Sequence, residues 1–209
     1  MQYNFICIEG NIGAGKTSLA EKISEDFNAR LILESFANNP FLPKFYKDPV
    51  NNAFPLELFF MAERYQQLKQ VKEQEMFFDF TISDYFFMKS ILFAQNNLSA
   101  DELELFYRLF DIMLANLPKP DLLIYLYSDI KTLQTNIKKR ARTFEQGITD
   151  KYLLDIQERY LDYFKKQKDF PALIIDISHA DFVQNNETYQ SIVSFIKKPF
   201  SFGVHQIEL

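Results

Sequence analysis

Eight consecutive residues near the start of the chain, Gly10-Asn11-Ile12-Gly13-Ala14-Gly15-Lys16-Thr17, meet the pattern G-x-x-x-x-G-K-[ST] at every fixed position. Little else in a sequence narrows the choice of fold so far, because such a loop works only between a buried strand and a helix. Both flanks comply. Phe5-Ile6-Cys7-Ile8 is a short apolar run of the kind that forms an interior strand, and residues 18–27 carry Leu19, Ala20 and Ile23 at helical spacing. The glycines let consecutive backbone N–H groups turn inward around a phosphate chain. The helix N-terminus adds its partial positive charge. Lys16 then reaches the outer phosphates and the Thr17 hydroxyl sits on Mg2+. Residues Gly10, Asn11, Ile12, Gly13, Ala14, Gly15, Lys16, Thr17 and Ser18 are therefore the expected binding loop for a nucleoside triphosphate.

Composition removes several alternatives. A chain of 209 residues is long enough for one domain, taken here as 1–209, with a sizeable core. It is 47% hydrophobic and carries a net charge of -5 without a basic block, which argues against a nucleic-acid polymer as partner. A lone cysteine, Cys7, allows no intrachain disulfide and no thiolate metal cluster, and two distant histidines, His179 and His205, do not make a zinc site. No apolar segment reads as a signal peptide or a membrane span. The expectation is a cytoplasmic protein without membrane association.

Strands are expected at 5–8, 30–35, 77–84, 122–127 and 172–177, and helices at 18–27, 41–46, 53–74, 85–97, 100–117, 129–140, 151–168 and 187–197. Asn38-Asn39-Pro40 reads as a turn and residues 49–52 as a break, with Pro55 in the first turn of the long helix that follows. The tail from about residue 199 is unassigned. Strands alternating with helices imply an α/β fold with about five parallel strands and helices on both faces.

Ligands in such folds bind beyond the carboxyl ends of the strands. Two acids fall there beside the glycine loop: Glu34 after the second strand and Asp84 after the third. Glu34 is placed to take a proton from an attacking hydroxyl, and Asp84 to hold Mg2+ together with Thr17. Farther on, Lys138, Lys139, Arg140 and Arg142 put four cations within five residues. They read as a lid whose Arg140 and Arg142 stabilise charge on a transferring phosphoryl group. The whole is a P-loop kinase fold with an Arg-containing lid.

At these residues the chain resembles the deoxynucleoside kinase family, from the glycine loop to about Phe182. The resemblance includes Glu34-Ser35, the block from Asn39-Pro40 to Pro49, and residues 54–64. Its most specific piece is Arg140-Ala141-Arg142-Thr143-Phe144-Glu145-Gln146-Gly147-Ile148, followed by Tyr152-Leu153. It implies ATP and Mg2+ as cofactors, a small deoxynucleoside as substrate and a homodimer. It also implies Glu34 as general base on the 5'-hydroxyl, and Tyr46 and Glu145 on the sugar 3'-hydroxyl. Glu57, Arg64 and Ser90 approach the base, Asp84 serves the acceptor side as well as the metal, and Asp181-Phe182 packs near the adenine of ATP. The sequence departs from the family at four positions. Tyr85 follows Asp84 in place of an Arg, Glu57 stands for a Gln, Ser90 for an Asp, and Asn136 for a lid-helix Arg.

The implied reaction is transfer of the ATP γ-phosphate to the 5'-hydroxyl of a deoxynucleoside. The alternatives are a nucleoside monophosphate kinase of thymidylate kinase type, whose acceptor site needs extra cations, and a non-catalytic P-loop module. A GTPase switch is excluded, since neither Asn-Lys-x-Asp nor Asp-x-x-Gly occurs. Glu57 and Arg64 lie two helical turns apart on one face. An ionised Glu57 matches the N1–H and N2–H donors of guanine and Arg64 its O6 and N7. This favours a purine, deoxyguanosine ahead of deoxyadenosine. Glu57 paired only with Arg64 would read nothing.

Overall fold

The computed structural model describes residues 2–36, 39–72 and 77–209. Residue 38 of the expected turn and residues 73–74 of the expected long helix lie outside these. In chain order the elements are β1 (Phe5–Gly10), α1 (Lys16–Asp26), β2 (Ala29–Ile32), α2 (Leu42–Phe45), α3 (Pro49–Lys69), β3 (Phe80–Ser83), α4 (Lys89–Asn97) and α5 (Ala100–Leu114). Then follow β4 (Leu122–Tyr127), α6 (Ile130–Arg140), α7 (Asp150–Lys166), β5 (Pro171–Asp176), α8 (Asn186–Ile196) and β6 (Gly203–Glu208).

The strands form one parallel sheet in the order β2-β3-β1-β4-β5-β6. Side chains of β1 and β4 alternate between its two faces. Ile6, Ile8, Leu122, Ile124 and Leu126 pack with Leu19 and Ile23 of α1, Leu133 of α6 and Ile192 of α8. Phe5, Cys7, Leu123 and Tyr125 pack on the other face with Met61 of α3, Ile91 of α4, Phe106 of α5 and Tyr160 of α7. The central strands are apolar at nearly every position because both faces are covered. Cys7 is fully buried in this layer. The order reverses at β1, so the crevice at its carboxyl end is where a ligand site is expected.

Four expectations about elements are corrected. The sheet has six strands, not about five: the unassigned tail forms β6, joined to β5 through pairs such as Ala172 with Val204 and Ile174 with Gln206. Its sequence, Gly-Val-His-Gln-Ile-Glu, lacks the apolar run of an interior strand because it lies at the sheet edge, half exposed.

Residues 49–52 are the first turn of α3 rather than a break. The Asp48 carboxylate accepts the Asn51 N–H at 3.4 Å as N-cap, and Pro49 falls where a missing N–H costs nothing. Pro55 is then inside the helix. Helix α4 begins at Lys89 rather than residue 85. The Phe86 N–H goes to the Glu9 carboxylate at 2.6 Å and the Tyr85 carbonyl accepts the Ser83 hydroxyl at 2.6 Å, which holds residues 84–88 out of the helix. Helix α5 stops at Leu114, where the Asn116 and Leu117 N–H groups turn onto carbonyls three residues back.

Candidate active site

The glycine loop closes tightly. Gly13 and Gly15 have φ of 88° and 81°, in the left-handed region. A Cβ on Gly13 would lie 2.7 Å from the Leu133 carbonyl oxygen, and one on Gly15 would lie 2.8 Å from the Phe182 ring. Helix α1 has Gly15 as N-cap and no side-chain cap, which leaves its first N–H groups to a phosphate. The Lys16 ammonium donates to the Gly10 and Asn11 carbonyls at 3.0 Å each. Desolvation, and then the nearby Lys89 cation, push its pKa down to about 8 against the pull of Glu9, Glu34 and Asp84. Asn11 acts as a brace: its amide donates to the Leu153 carbonyl at 2.8 Å and its oxygen accepts the Ile12 N–H.

A cavity of about 420 Å³ lies beside Tyr46, Asn97 and Tyr152. A larger one, of about 670 Å³, runs along Gly13–Ser18, with Asn136, Lys139, Arg140 and Arg142 on one side and Asp181 and Phe182 on another. Only the second adjoins the phosphate loop. Asn136 donates to the Gly13 carbonyl at 2.9 Å and so supports the loop. Phe182 is buried against Gly15. The Asp181 carboxylate accepts the Val183 and Gln184 N–H groups at 3.0 Å each.

Asp84 joins the two halves of the site. One of its oxygens accepts the Thr17 hydroxyl at 2.5 Å and the other accepts the Glu34 N–H at 2.7 Å. Thr17 and Asp84 thus present two hard oxygens at the phosphate loop. Among the described residues no group of three or more His, Cys, Asp or Glu forms a metal cage. This donor set fits Mg2+, which takes one or two protein oxygens and fills its remaining positions with phosphate and water.

On the acceptor side, Glu34 is held by two cations. Its Oε1 accepts Arg64 Nε at 2.9 Å and Nη2 at 2.6 Å, and its Oε2 accepts Lys89 Nζ at 2.6 Å. Burial opposes ionisation of Glu34, but Lys89, Arg64 and Lys16 outweigh it and hold the carboxyl well below the usual range. Arg64 also donates to the Ser90 hydroxyl at 2.8 Å, so the residue that stands for an Asp serves to orient the Arg. Glu57 does not spend itself on Arg64 hydrogen bonds. It accepts Asn97 Nδ2 at 2.7 Å, and burial pushes its pKa up to about 7 against the attraction of Arg64. The same Asn97 nitrogen reaches the Tyr152 hydroxyl at 3.2 Å.

The expected lid borders both cavities, with Arg140 and Arg142 on the larger and Gly147 on the smaller. Arg140 and Arg142 both pair with Glu145, Arg142 at 3.3 Å. The Arg142 guanidinium also sits 3.7 Å from the Phe36 ring centroid. Phe144 stacks on Tyr46 with centroids 6.0 Å apart. The structure therefore brings together Lys16, Thr17, Glu34, Arg64, Asp84 and Ser90, and gathers Tyr46, Arg140, Arg142 and Glu145 as a second group. Asn11 and Phe182 act as supports behind the loop.

Sequence reasoning missed Lys89, Asn97, Phe36 and Glu9. Glu9 is buried in β1, and its carboxylate accepts the Phe86 N–H and the Tyr160 hydroxyl. For Lys89 a signal existed: it is the one charge in the run from Tyr85 to Ala94.

A family profile described as deoxynucleoside kinase matches residues 6–200. The chain is similar to a deoxyguanosine kinase of Bacillus subtilis (strain 168), 35% identical over 199 residues, covering 93% of this chain and 96% of that protein. It is 32% identical over 205 residues to a deoxyguanosine kinase of Lactobacillus acidophilus, covering 91% of this chain and 88% of that one. A solved deoxyadenosine kinase from M. mycoides, with dCMP and a flexible dCDP bound, superposes with a TM-score of 0.78 at 25% identity, over 92% of this chain and 98% of that one.

Proposed function

The chain belongs to the deoxynucleoside kinase family, and on that premise we propose that it transfers the γ-phosphate of ATP to the 5'-hydroxyl of a purine deoxynucleoside, deoxyguanosine ahead of deoxyadenosine. Residues 1–209 act as one kinase domain. The observation that carries this reading is the double contact of Asp84, which ties the phosphate loop to the backbone of Glu34 and so fixes donor and acceptor sites at one spacing.

The chemistry follows from the residues. Gly10 to Ser18 cradle the triphosphate, with Lys16 leaving the loop carbonyls for the outer phosphates. Thr17 and Asp84 would hold Mg2+, which neutralises phosphate charge when bound. Tyr46 and Glu145 hold the sugar 3'-hydroxyl. Glu34 accepts a hydrogen bond from the 5'-hydroxyl and then its proton, as the oxygen bonds to the γ-phosphorus and the bond to ADP breaks. A carboxylate held so far down is a weak base. It takes the proton once the new O–P bond has begun to form, which suits the loose transition state of phosphoryl transfer. Arg140 and Arg142 stabilise the charge of the moving phosphoryl group from the lid. Asp181 and Phe182 line the nucleotide end of the larger cavity.

The base site is read by Glu57, Arg64 and Ser90. Relatives named deoxyguanosine kinase support guanine as the preferred base. The enzyme works as a homodimer in the cytoplasm: helix α5 exposes Leu105 and Ile112 along one stripe, and Cys7 is an unpaired thiol. Among the described residues no helix is long and apolar enough to cross a membrane.

The deciding experiment is an ADP-release assay against deoxynucleosides and their monophosphates. Turnover with deoxyguanosine is expected, and turnover confined to a monophosphate would replace this reading with a monophosphate kinase. Glu34→Gln is expected to lower kcat roughly 10²-fold with little change in KM. Full kcat in that variant would remove Glu34 as proton acceptor.

A further inference from the structure

Glu34 lies two residues past the end of β2, in a stretch without regular structure. Among the described residues, none of its own segment holds its carboxylate, yet a proton acceptor must be held to a fraction of an ångström. An ionised carboxylate offers about four lone-pair sites. Arg64 Nε and Nη2 occupy two of them on Oε1, and Lys89 Nζ occupies one on Oε2. The remaining site is on Oε2, the oxygen that Lys89 holds. We propose that Lys89 is a positioning residue for phosphoryl transfer, which orients the Glu34 carboxylate so that the free lone pair of Oε2 receives the substrate hydroxyl.

The surroundings of Lys89 are built for a fixed cation. Its side chain is 7% exposed and its ammonium lies 5.6 Å from the Phe93 ring centroid. Burial pushes up the pKa of the Glu9 carboxyl, on the strand that leads into the phosphate loop, and the Lys89 cation is the leading influence against that shift. The next residue, Ser90, holds Arg64 at 2.8 Å. The first turn of α4 thus controls both partners of Glu34, Lys89 directly and Arg64 through Ser90. Tyr85, closer in sequence to Asp84, takes no part, since its hydroxyl is spent on Gln67 at 2.6 Å. A buried ion pair is a poor source of net stability, so a purely structural role leaves this arrangement without a purpose.

The proposal rests on Glu34 as proton acceptor, and the test separates the two claims. The groups facing Glu34 are Lys89 and Ser90 from α4, Arg64 and Glu57 from α3, Lys16 from the loop, Asp84 after β3 and Arg142 from the lid. Of these Lys89 is the strongest influence holding Glu34 ionised. Kinetics and Tm are measured for Lys89→Met, Lys89→Arg, Glu34→Gln and the double variant Glu34→Gln/Lys89→Met, with deoxyguanosine and ATP.

Lys89→Met is expected to lower kcat about tenfold or more with KM for ATP nearly unchanged. Lys89→Arg recovers part of kcat. In the Glu34→Gln background, Lys89→Met costs no further kcat, because it acts through a carboxylate no longer present. Full kcat in Glu34→Gln overturns the proton-acceptor reading itself. A slow Glu34→Gln beside a Lys89→Met with wild-type kcat overturns the positioning role alone. So does an equal loss from Lys89→Met in both backgrounds. If Lys89→Met fails to fold, the double variant, which carries no unpaired Glu34 charge, and Lys89→Arg decide the matter.

Discussion

A carboxyl group that titrates near neutrality inside a binding site changes its hydrogen-bonding character within the working pH range. On the proposed reading of the base site Glu57 is such a group, with burial pushing it up to about 7. Below that pH it is neutral and both donates and accepts; above it, it only accepts. Guanine offers paired donors to the ionised form, whereas adenine presents an acceptor that the ionised form repels. The ratio of kcat/KM for deoxyguanosine over deoxyadenosine is therefore expected to rise with pH through about 7, and to become flat in Glu57→Gln. The same residue affects folding. Its folded pKa is raised, so its contribution is fully present below the unfolded carboxylate range and is lost as pH climbs through about 7. At about 1.4 kcal/mol per pKa unit, Glu57→Gln should raise Tm near pH 8 and leave it unchanged near pH 3.5, below the unfolded carboxylate range. A pH-independent selectivity in the wild type would take Glu57 out of base recognition.

Among the elements, the proposed lid contributes Arg140 and Arg142 to the cavity along the phosphate loop. Helix α6 ends at Arg140, and Ala141 follows in the left-handed region with φ 56°. That conformation costs an alanine about 1 kcal/mol, held here by the contacts of the turn beyond it. Arg142 is tied to Glu145 and Phe36 but lines the nucleotide cavity. Arg142→Ala should lower kcat about tenfold or more while Tm moves little, because Arg142 packs on Glu145 and Phe36 at the rim and not in the clusters on either face of the sheet. A large fall in Tm with intact turnover would make Arg142 a structural tie.

The elements also show what the sequence could disclose. The glycine loop was legible because its chemistry is local, eight residues between a strand and a helix. Glu34 and Asp84 were legible because strand ends converge in a parallel sheet. Lys89 was hidden because its partner Glu34 lies 55 residues away at the exit of β2, and an apolar run around it reads as core. The start of α3 was misplaced because Pro49 looks like a breaker until Asp48 is seen to cap it. The edge strand β6 was unreadable because half-exposed strands carry no continuous apolar signal.

At the scale of the molecule, α5 packs Phe106 and Phe110 inward and leaves Leu105, at 49% exposure, and Ile112, at 67%, on its outer side with Leu109 between them. A stripe of this kind has a use as the seam of a two-fold dimer. Ile112→Glu is expected to yield a monomer by light scattering while the wild type runs as a dimer; a monomeric wild type would remove the seam. The central layer has another consequence. The lone thiol lies in the middle strand, between Ser83 and Leu123, with no surface of its own, and burial suppresses its thiolate. Since thiolate is the reactive form, alkylation of the native protein must wait for the sheet to part. The chain thus carries an internal clock for its own opening, readable by mass without a label. ATP at about 100 times its Kd should slow that clock about 100-fold if the sheet parts only on global unfolding. A rate indifferent to ATP would mean that the strand feeding the phosphate loop opens alone.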